Sequence, residues 1–278
     1  MATLYLDDIL QDHRAAAAKD GRSLDDLIAQ AGEMPATRGF VDALRSQPDL
    51  GVIAEVKRRS PSKGDLNLGL DPATLSAAYA SGGAACCSVL TDEKYFGGSV
   101  ADLQAVRGAV DIPILRKDFT VSAHDVVDAR LMGADCLLLI VAALSDGELS
   151  EFHSLAIELG LDVLIEVHDE AEAERAMALN GSLVGVNQRD LRTFEVDTER
   201  AKRVAASLPA DVVRVAESGI GGPVDIPELV AAGFQAVLVG ESLVKHSGPA
   251  AGVAALIEAA GQGAVSYTHL TLPTILRV

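Results

Sequence analysis

The sequence predicts an α/β fold, a (β/α)8 TIM barrel that follows an N-terminal helical extension. From residue 51 onward, strand-like apolar segments alternate eight times with helically periodic segments, at spacings of roughly 20–35 residues. Polar side chains recur at the carboxyl ends of the strand-like segments, where barrel enzymes place their chemistry. An open doubly wound sheet is the alternative. It fits less well, because the first strand-to-helix turn lacks a glycine-rich dinucleotide fingerprint.

The first part of the chain is predicted to form helices that cover one side of the barrel. Ser23 is a candidate N-cap for a second helix, and a short helix over 39–46 should end before Pro48. We therefore expect a helical extension at 1–48 that packs on a catalytic barrel at 49–264. The apolar stripe of the first helix consists of Leu4, Leu6, Ile9 and Leu10.

We predict the eight strand–helix units from apolar runs and from the residues that begin and end the helices. Gly133 and Gly233 lie where helices should end before the next strand. Candidate helix N-caps are Asp71, Ser99, Ser122, Ser145, and Asp197 or Thr198. The predicted strands lie at 51–57, 84–91, 112–118, 135–142, 162–168, 183–189, 212–218 and 236–242. The predicted helices lie at 72–82, 99–109, 122–132, 145–160, 169–180, 197–207, 223–233 and 250–261.

The C-terminal segment 265–278 resembles a translated sequencing-library adapter rather than natural protein. We exclude it from fold prediction as a non-native tail, and we expect the natural chain to be cut at or just before its own end. A natural disordered tail is the alternative.

The composition indicates a soluble cytoplasmic protein. A formal net charge of −17 disfavours binding to nucleic acid and to anionic membranes. Acidic and basic residues near the start argue against a signal peptide, and the longest apolar run, Cys136 to Leu144, is too short to cross a bilayer. An anionic ligand would therefore need a local basic cluster that acts against the overall charge.

The cysteine and histidine patterns predict no metal site. Cys86, Cys87 and Cys136 lie in apolar strand-like runs without CxxC spacing, so we interpret them as core residues. Cys86 and Cys87 should face opposite sides of one strand. The histidines are scattered without the spacing of metal ligands.

Charged and polar side chains end six of the predicted strands. Glu55 and Lys57 point to the same face of a strand, and burying such a pair is costly unless something uses it. One pair alone could be structural, but six strands that end this way favour an acid–base site, where neighbouring charges shift one another's pKa values. The residues are Glu55, Lys57, Lys117, Asp118, Glu166, Asn187, Arg189, Glu217, Ser218 and Glu241.

Glycine-rich turns after the seventh and eighth predicted strands, at 218–222 and 239–242, indicate an anion site. Glycines let backbone N–H groups approach a ligand closely, and phosphates in barrels commonly bind at these two loops. Ser60 and Ser62, in the loop after the first strand, would face them across the mouth. These features predict a bound phosphate.

Other polar clusters have simpler interpretations. The segment 95–98 after the second strand is either loop packing or a lid over an aromatic substrate, and its place at the mouth favours the lid. Several side chains on predicted helices are interpreted as solvated surface: Glu148, Glu151, Glu170, Glu172, Glu174 and Arg175.

Seven phrases along the predicted barrel carry a resemblance to a known family. They are 53–62 (IAEVKRRSPS), 90–98 (LTDEKYFGG), 114–119 (ILRKDF), 164–168 (LIEVH), 185–191 (GVNQRDL), 216–220 (AESGI) and 239–241 (VGE). They are similar to motifs of indole-3-glycerol phosphate synthases, enzymes of tryptophan biosynthesis, and the helical extension also fits. One departure is Gln188, where the family often has a second Asn.

The resemblance implies a sugar-phosphate substrate, 1-(2-carboxyphenylamino)-1-deoxyribulose 5-phosphate. Ring closure, decarboxylation and dehydration would convert it to indole-3-glycerol phosphate. The resemblance assigns Lys117 as general acid, Glu166 as base of the indole-forming step, and Lys57 with Arg189 as contacts of the substrate carboxylate. Which lysine donates a proton in each step stays open, because coupled groups need not keep one role each. No cofactor is expected, since the iminium formed on ring closure is its own electron sink.

The resemblance also gives roles to the remaining site residues. Glu55 and Glu217 would fix the charge of the lysines and bond substrate hydroxyls, which Asn187 would orient. Phe119 and Leu138 would pack on the anthranilate ring. The phosphate ligands would be Ser60, Ser218, Gly219, Gly240 and, through its backbone N–H at most, Glu241.

Three other hypotheses compete. A phosphate-binding barrel isomerase of the preceding pathway step would leave the Lys57–Arg189 pair unused. A catalytically silent barrel predicts decay at the strand ends, where the charged residues are present. A flavin enzyme lacks a further cofactor site. For assembly we expect a monomer or weak homodimer, with other tryptophan-pathway enzymes as candidate partners, no nucleic acid and no membrane.

Overall fold

Eight parallel strands close into a barrel in the computed structural model, which describes residues 5–61, 63–189 and 195–267. The first strand pairs with both the second and the eighth, so the (β/α)8 prediction is confirmed and the open-sheet alternative is wrong. The barrel strands are β1 (Gly51–Val56), β2 (Cys86–Leu90), β3 (Ile114–Lys117), β4 (Cys136–Ile140), β5 (Asp162–Val167), β6 (Leu183–Asn187), β7 (Val213–Glu217) and β8 (Ala236–Val239).

Helices separate the strands, and most begin where capping residues predict. The predicted caps accept backbone N–H groups of the first helical turn through their side chains: Asp71, Ser99, Ser122, Ser145 and, rather than Thr198, Asp197. The helix expected at 223–233 begins later, because a 3-10 turn at Pro223–Asp225 precedes it.

The helices are α1 (Tyr5–Ala17), α2 (Leu24–Gly32), α3 (Phe40–Arg45), α4 (Pro72–Ser81), α5 (Glu93–Phe96), α6 (Val100–Ala109), α7 (Ala123–Met132), α8 (Asp146–Glu158), α9 (Glu170–Met177), α10 (Thr198–Ser207), α11 (Ile226–Ala231), α12 (Glu241–Val244) and α13 (Pro249–Tyr267). Within the described residues, every helix is too short or too polar to span a bilayer.

The strands divide the core into two layers, because successive side chains point to opposite faces of the sheet. Ile53, Cys86 and Cys136 fill the barrel interior, whereas Val52 and Cys87 pack between the sheet and the surrounding helices. All three cysteines are buried thiols, which confirms their interpretation as core residues, and Cys86 and Cys87 face opposite sides of the sheet as predicted.

The N-terminal helices reach both ends of the barrel. Phe40 and Leu44 of α3 join the interior cluster, next to the start of β1. Leu27 of α2 packs on Val127 of α7. At the opposite end, Arg14 of α1 contacts the loop after β4. The division of the chain into 1–48 and 49–264 stays a prediction.

Three helix side chains that we interpreted as solvated surface have structural partners. Glu148 forms a capping box with Ser145 and a 2.6 Å salt bridge with Arg14. Arg175 donates to two backbone carbonyls of the loop after β4. Glu172 accepts a 2.7 Å hydrogen bond from the loop after β5. Periodicity identifies a polar helix face, but it does not identify the loop that packs against that face.

A short hairpin follows β1, with strands Arg59–Ser60 and Gly64–Asp65. Ser62 lies outside the described residues. Most of the predicted non-native tail, residues 268–278, lies outside them as well, and the three preceding residues continue the backbone of α13.

Candidate active site

Every predicted site residue that the structure describes lines one cavity of about 780 Å³ at the carboxyl ends of the strands. Parallel strands bring their carboxyl ends to the same rim, so side chains distant in sequence meet there. Their individual roles stay predictions. The residues are Glu55, Lys57, Ser60, Lys117, Phe119, Leu138, Glu166, Asn187, Arg189, Glu217, Ser218, Gly219, Gly240 and Glu241.

A buried lysine forms the centre of the site. Lys117 Nζ lies 2.8 Å from Glu166 Oε2 and 3.2 Å from Glu217 Oε2. The Asn187 side-chain amide donates a 3.0 Å hydrogen bond to the other oxygen of Glu166. Side chains of both glutamates are only 2% exposed, so water screens these charges little.

Burial and the neighbouring charges shift the pKa values of these three groups in different directions. Burial would lower the pKa of Lys117, but the surrounding carboxylates outweigh it and raise that pKa. Burial would raise the pKa of Glu166, but Lys117 outweighs it and holds that pKa below its usual range. Burial dominates at Glu217 and raises its pKa. The site thus holds one charged lysine, one ionised carboxylate and one carboxyl group that accepts a proton more readily.

A second lysine–glutamate pair ends β1, where Lys57 forms a salt bridge with Glu55. Glu55 is buried against the end of β8, and a Cβ on Gly240 would overlap its carboxylate. Close packing against Glu55 therefore explains a glycine at position 240, which the sequence alone did not reveal. Its contact with a phosphate stays a prediction.

The apolar side of the cavity combines predicted and unpredicted residues. The rings of Phe96 and Phe119 lie 6.4 Å apart between centroids, as neighbouring aromatic rings commonly do. Leu6 and Ile9 of α1 also line the cavity, although the sequence placed α1 only on one side of the barrel. Their apolar stripe was visible, but periodicity does not say which surface a stripe covers.

The segment 95–98 has features of both a lid over the cavity and a packed loop. Phe96 lines the cavity, as a cover over an aromatic substrate requires. The Tyr95 hydroxyl instead donates to Asp12 of α1, and Lys94 pairs with the same carboxylate. Together these contacts hold α5 against α1.

The loop after β7 turns sharply at the predicted anion site. Ser218 and Gly219 have φ values of +63° and +72°, the left-handed region that a serine adopts only at a cost. The N–H groups of Gly221 and Gly222 already donate to the Asp225 carboxylate, at 2.7 and 3.2 Å. A phosphate at this loop would therefore use the first part of the predicted turn rather than its later glycines.

Three lysines lie near Glu241 at the mouth, where an anionic ligand would need positive charge. Lys245 pairs with Glu241 at 2.7 Å, and the hydrogen bond lowers the pKa of that carboxyl, with smaller contributions from Lys63 and Lys57. Lys245 was not predicted. It reaches the cavity because it follows Glu241 by one helical turn.

The sequence did not reveal a polar cluster at the edge of the cavity, although it identified one member, Asp118, as a strand-end residue. His13 Nε2 lies 3.0 Å from Asp92 Oδ2 and 3.8 Å from Asp118 Oδ1. These atoms are close enough to hold a metal ion, but Thr91 and Arg116 already donate to Asp118. We interpret the cluster as a buried ion pair that fixes α1 to the mouth.

Residues at the end of β6 form hydrogen bonds within their own loop and to the loop after β7. Asn187 Oδ1 accepts the backbone N–H of Arg189 at 3.0 Å. Gln188, the departure from the family pattern, donates a 2.9 Å hydrogen bond from its amide to the carbonyl of Ser218. This contact holds the β6 and β7 loops together and leaves Asn187 and Arg189 facing the cavity.

The fold and the site together define an enzyme of the (β/α)8-barrel class with an acid–base cluster at its mouth. A family model for indole-3-glycerol phosphate synthase matches residues 6–256. A curated relative from Nocardioides sp. with that name is 54% identical over 246 residues, which cover 88% of this chain and 94% of the relative. The chain belongs to the indole-3-glycerol phosphate synthase family, which confirms the resemblance found in the sequence.

Other comparisons agree with this placement. Relatives of the same name from Mycobacterium leprae (strain TN) and Streptomyces griseus are 49% and 48% identical, covering 91% and 94% of this chain and 94% and 98% of the relatives. Among solved structures, thiamine phosphate pyrophosphorylase from Pyrococcus furiosus matches with a TM-score of 0.59 at 16% identity, covering 79% of this chain and 98% of that one. The last similarity concerns the fold alone.

Proposed function

We propose that the chain converts 1-(2-carboxyphenylamino)-1-deoxyribulose 5-phosphate to indole-3-glycerol phosphate, carbon dioxide and water, as a carboxy-lyase of tryptophan biosynthesis. The observation that carries the proposal is Lys117, held between Glu166 and Glu217 on the floor of one cavity in a chain of this family.

The substrate would span the barrel mouth. Strand order places β3 and β4 across the barrel from β7 and β8. The anthranilate ring fits the apolar wall formed by Phe96, Phe119 and Leu138, and the phosphate fits the loops on the opposite side. Lys57 and Arg189 would hold the substrate carboxylate between these ends, a role that suits a charged pair at the mouth.

Ring closure needs a proton donor at the substrate ketone. The ring carbon that bears the carboxylate attacks the ketone carbon, and Lys117 protonates the ketone oxygen. The new carbon–carbon bond leaves an iminium cation at the nitrogen. Carbon dioxide then leaves its bonding electrons in the ring, which restores aromaticity and neutralises the iminium.

Dehydration completes the indole. The new hydroxyl leaves as water after it gains a proton, and Glu166 removes a proton from the adjacent methylene group. The low pKa of Glu166, which Lys117 causes against the effect of burial, keeps this carboxylate ionised before the step. Glu55 would hold Lys57 in place, and Glu217 would do the same for Lys117. Overall the reaction takes up one proton, because a carboxylate leaves as carbon dioxide.

Replacing the acid tests the proposal. We expect the wild-type protein to produce indole fluorescence from the substrate, and Lys117→Ala to lower kcat by at least about 10²-fold. Lys202→Ala, at a half-buried lysine outside the cavity lining, should keep wild-type kcat. A folded wild-type protein without activity would favour the isomerase or silent-barrel hypothesis. Near wild-type turnover by Lys117→Ala would refute the assignment of the acid.

Location and assembly complete the proposal. We place the enzyme in the cytoplasm, where the other tryptophan-pathway enzymes are its candidate partners, and we expect a monomer or weak homodimer. Sedimentation at several protein concentrations measures the oligomeric state. A stable larger oligomer would contradict this expectation.

A further inference from the structure

A buried histidine lies behind the proposed base and takes no part in the steps above. His168 directly follows β5, and its Nε2 atom is 3.7 Å from Glu166 Oε1. Its Nδ1 atom is 3.0 Å from Glu172 Oε2. The side chains of His168 and Glu172 are 12% and 18% exposed, against 2% for Glu166. The three groups form a line from the partly exposed start of α9 to the floor of the cavity.

Glu172 fixes the orientation of the ring. Its Oε2 atom accepts both the backbone N–H of His168, at 2.7 Å, and the ring Nδ1. A carboxylate on one ring nitrogen sets the tautomer and directs the other nitrogen. Among the described residues, Nε2 of His168 has no hydrogen-bond partner and no solvent contact. At 3.7 Å it is too far from Glu166 for a hydrogen bond, but close enough for a strong charge interaction.

Negative charge dominates the surroundings of the ring. Carboxylates face it from three elements: Glu172 of α9, Glu166 of β5 and Glu217 of β7. The 3-10 turn at Val141–Ala143, packed between α9 and β5, carries no titratable side chain, and Asn187 of β6 is neutral. Lys117 of β3 is the opposing cation, and it contacts the other oxygen of Glu166.

These surroundings favour the imidazolium form. Burial would lower the pKa of His168, but the hydrogen bond to Glu172 and the nearby carboxylates outweigh it and raise that pKa. Burial would likewise raise the pKa of Glu166, but Lys117 and then His168 outweigh it. Glu166 therefore has a cation near each of its oxygens. A group that must accept a proton has to be ionised when the substrate arrives.

We propose that His168, oriented by Glu172, is a positioning residue for Glu166, and that its positive charge keeps the carboxylate ionised and aligned for proton abstraction. This inference rests on the proposed function, because it takes Glu166 as the base. The ring keeps its proton throughout and does not touch the substrate.

The pairing has a pH dependence with a defined sign. As the pH falls, Glu166 becomes protonated, and without the charge of His168 this should occur at higher pH. As the pH rises through the raised pKa of His168, the ring loses its charge, but Glu166 is by then ionised in any case. Wild type and a variant without the charge should differ on the acid side and converge on the alkaline side.

The test is His168→Gln, which removes the charge and keeps a side chain able to bond Glu172. We expect the acidic limb of the kcat profile to move up by about one pH unit, so that kcat measured on that limb, below the wild-type midpoint, falls by about tenfold. Near pH 9 the two enzymes should agree within about twofold, with KM little changed. His153→Gln, at a half-buried histidine of α8 away from the cavity, should leave the profile in place. An unmoved acidic limb, or an equal loss at every pH, would overturn the proposal.

Glu172→Gln keeps the proposal testable if His168→Gln does not fold. It removes the charge that favours the imidazolium, so the acidic limb should move in the same direction by a smaller amount. An NMR titration of ¹³C-labelled histidines in the free protein needs no substrate. His168 should titrate above the ordinary value of about 6.5 in wild type and lower in Glu172→Gln. Titration at or below the ordinary value in wild type would overturn the proposal. A folded but inactive wild-type protein would instead refute the proposed function. The histidine titration and the activity assay therefore test the two proposals separately.

Discussion

Two glycines leave the space that the buried side chains of Glu55 and Glu217 occupy. A Cβ on Gly185 of β6 would overlap the Glu217 carboxylate, and a Cβ on Gly240 would overlap that of Glu55. Neither glycine has a positive φ, so their reason is space and not backbone conformation. The sequence identified the glutamates from their place at strand ends, but the clearance across neighbouring strands depends on register, which no local pattern contains.

Gly185→Ala should damage both stability and turnover. The added methyl group must displace the Glu217 carboxylate from Lys117, and overpacking of this kind costs about 1–3 kcal/mol. We expect a lower urea midpoint and a kcat reduced by about tenfold or more.

The matched control is Gly147→Ala in α8, where a Cβ would meet only open space. This variant should be as stable as wild type or up to about 1 kcal/mol more stable, with kcat unchanged. Equal behaviour of the two variants would contradict the role given to Gly185.

At the scale of elements, α1 completes the mouth of the barrel. Leu6 and Ile9 line the cavity, while polar contacts from Asp12 and His13 hold the helix on α5 and the loop before it. The extension is thus part of the wall that would surround an aromatic substrate.

Ile9→Ala should weaken substrate binding more than it weakens the barrel. Removing the side chain opens a gap between α1 and the cavity, and docking of a terminal helix is lost locally before the core unfolds. We expect KM to rise by about 3–10-fold, equal to roughly 1 kcal/mol, with faster hydrogen exchange confined to α1. Gln11→Ala, at an exposed position of the same helix, should change neither. An unchanged KM for Ile9→Ala would remove α1 from the binding site.

Sequence patterns predicted those elements whose causes are local. Ser99 and Ser122 were identifiable as caps because each bonds an N–H three residues ahead. The cluster of His13, Asp92 and Asp118 was not identifiable, because α1 meets β2 and β3 only in the folded chain. The motifs placed the catalytic candidates well, since strand ends of a closed barrel must converge. They missed the groups that support those candidates, such as Glu172 on a helix face that looked solvated.

Over the whole molecule, the chain is strongly acidic, but several lysines gather at the mouth of the barrel. The chain carries −17, yet Lys57, Lys63 and Lys245 all lie near Glu241 at the mouth. At physiological salt, distant surface charges are screened beyond about 8 Å, whereas neighbouring groups still interact. An anionic substrate at the cavity would therefore respond to these lysines far more than to the acidic surface around them.

Lys245→Gln tests whether local charge governs binding. The change leaves Glu241 without its partner next to the predicted phosphate site, so KM should rise by about 3–10-fold, while kcat stays unchanged. Added salt should weaken substrate binding less in this variant than in wild type, because fewer attractive charges remain to be screened. Lys202→Gln removes the same unit of charge from a half-buried lysine outside the cavity, one that pairs with Glu199 and Glu228. If the overall charge controlled binding, both variants would raise KM equally. A KM that rises only in Lys245→Gln would attribute substrate attraction to the mouth itself.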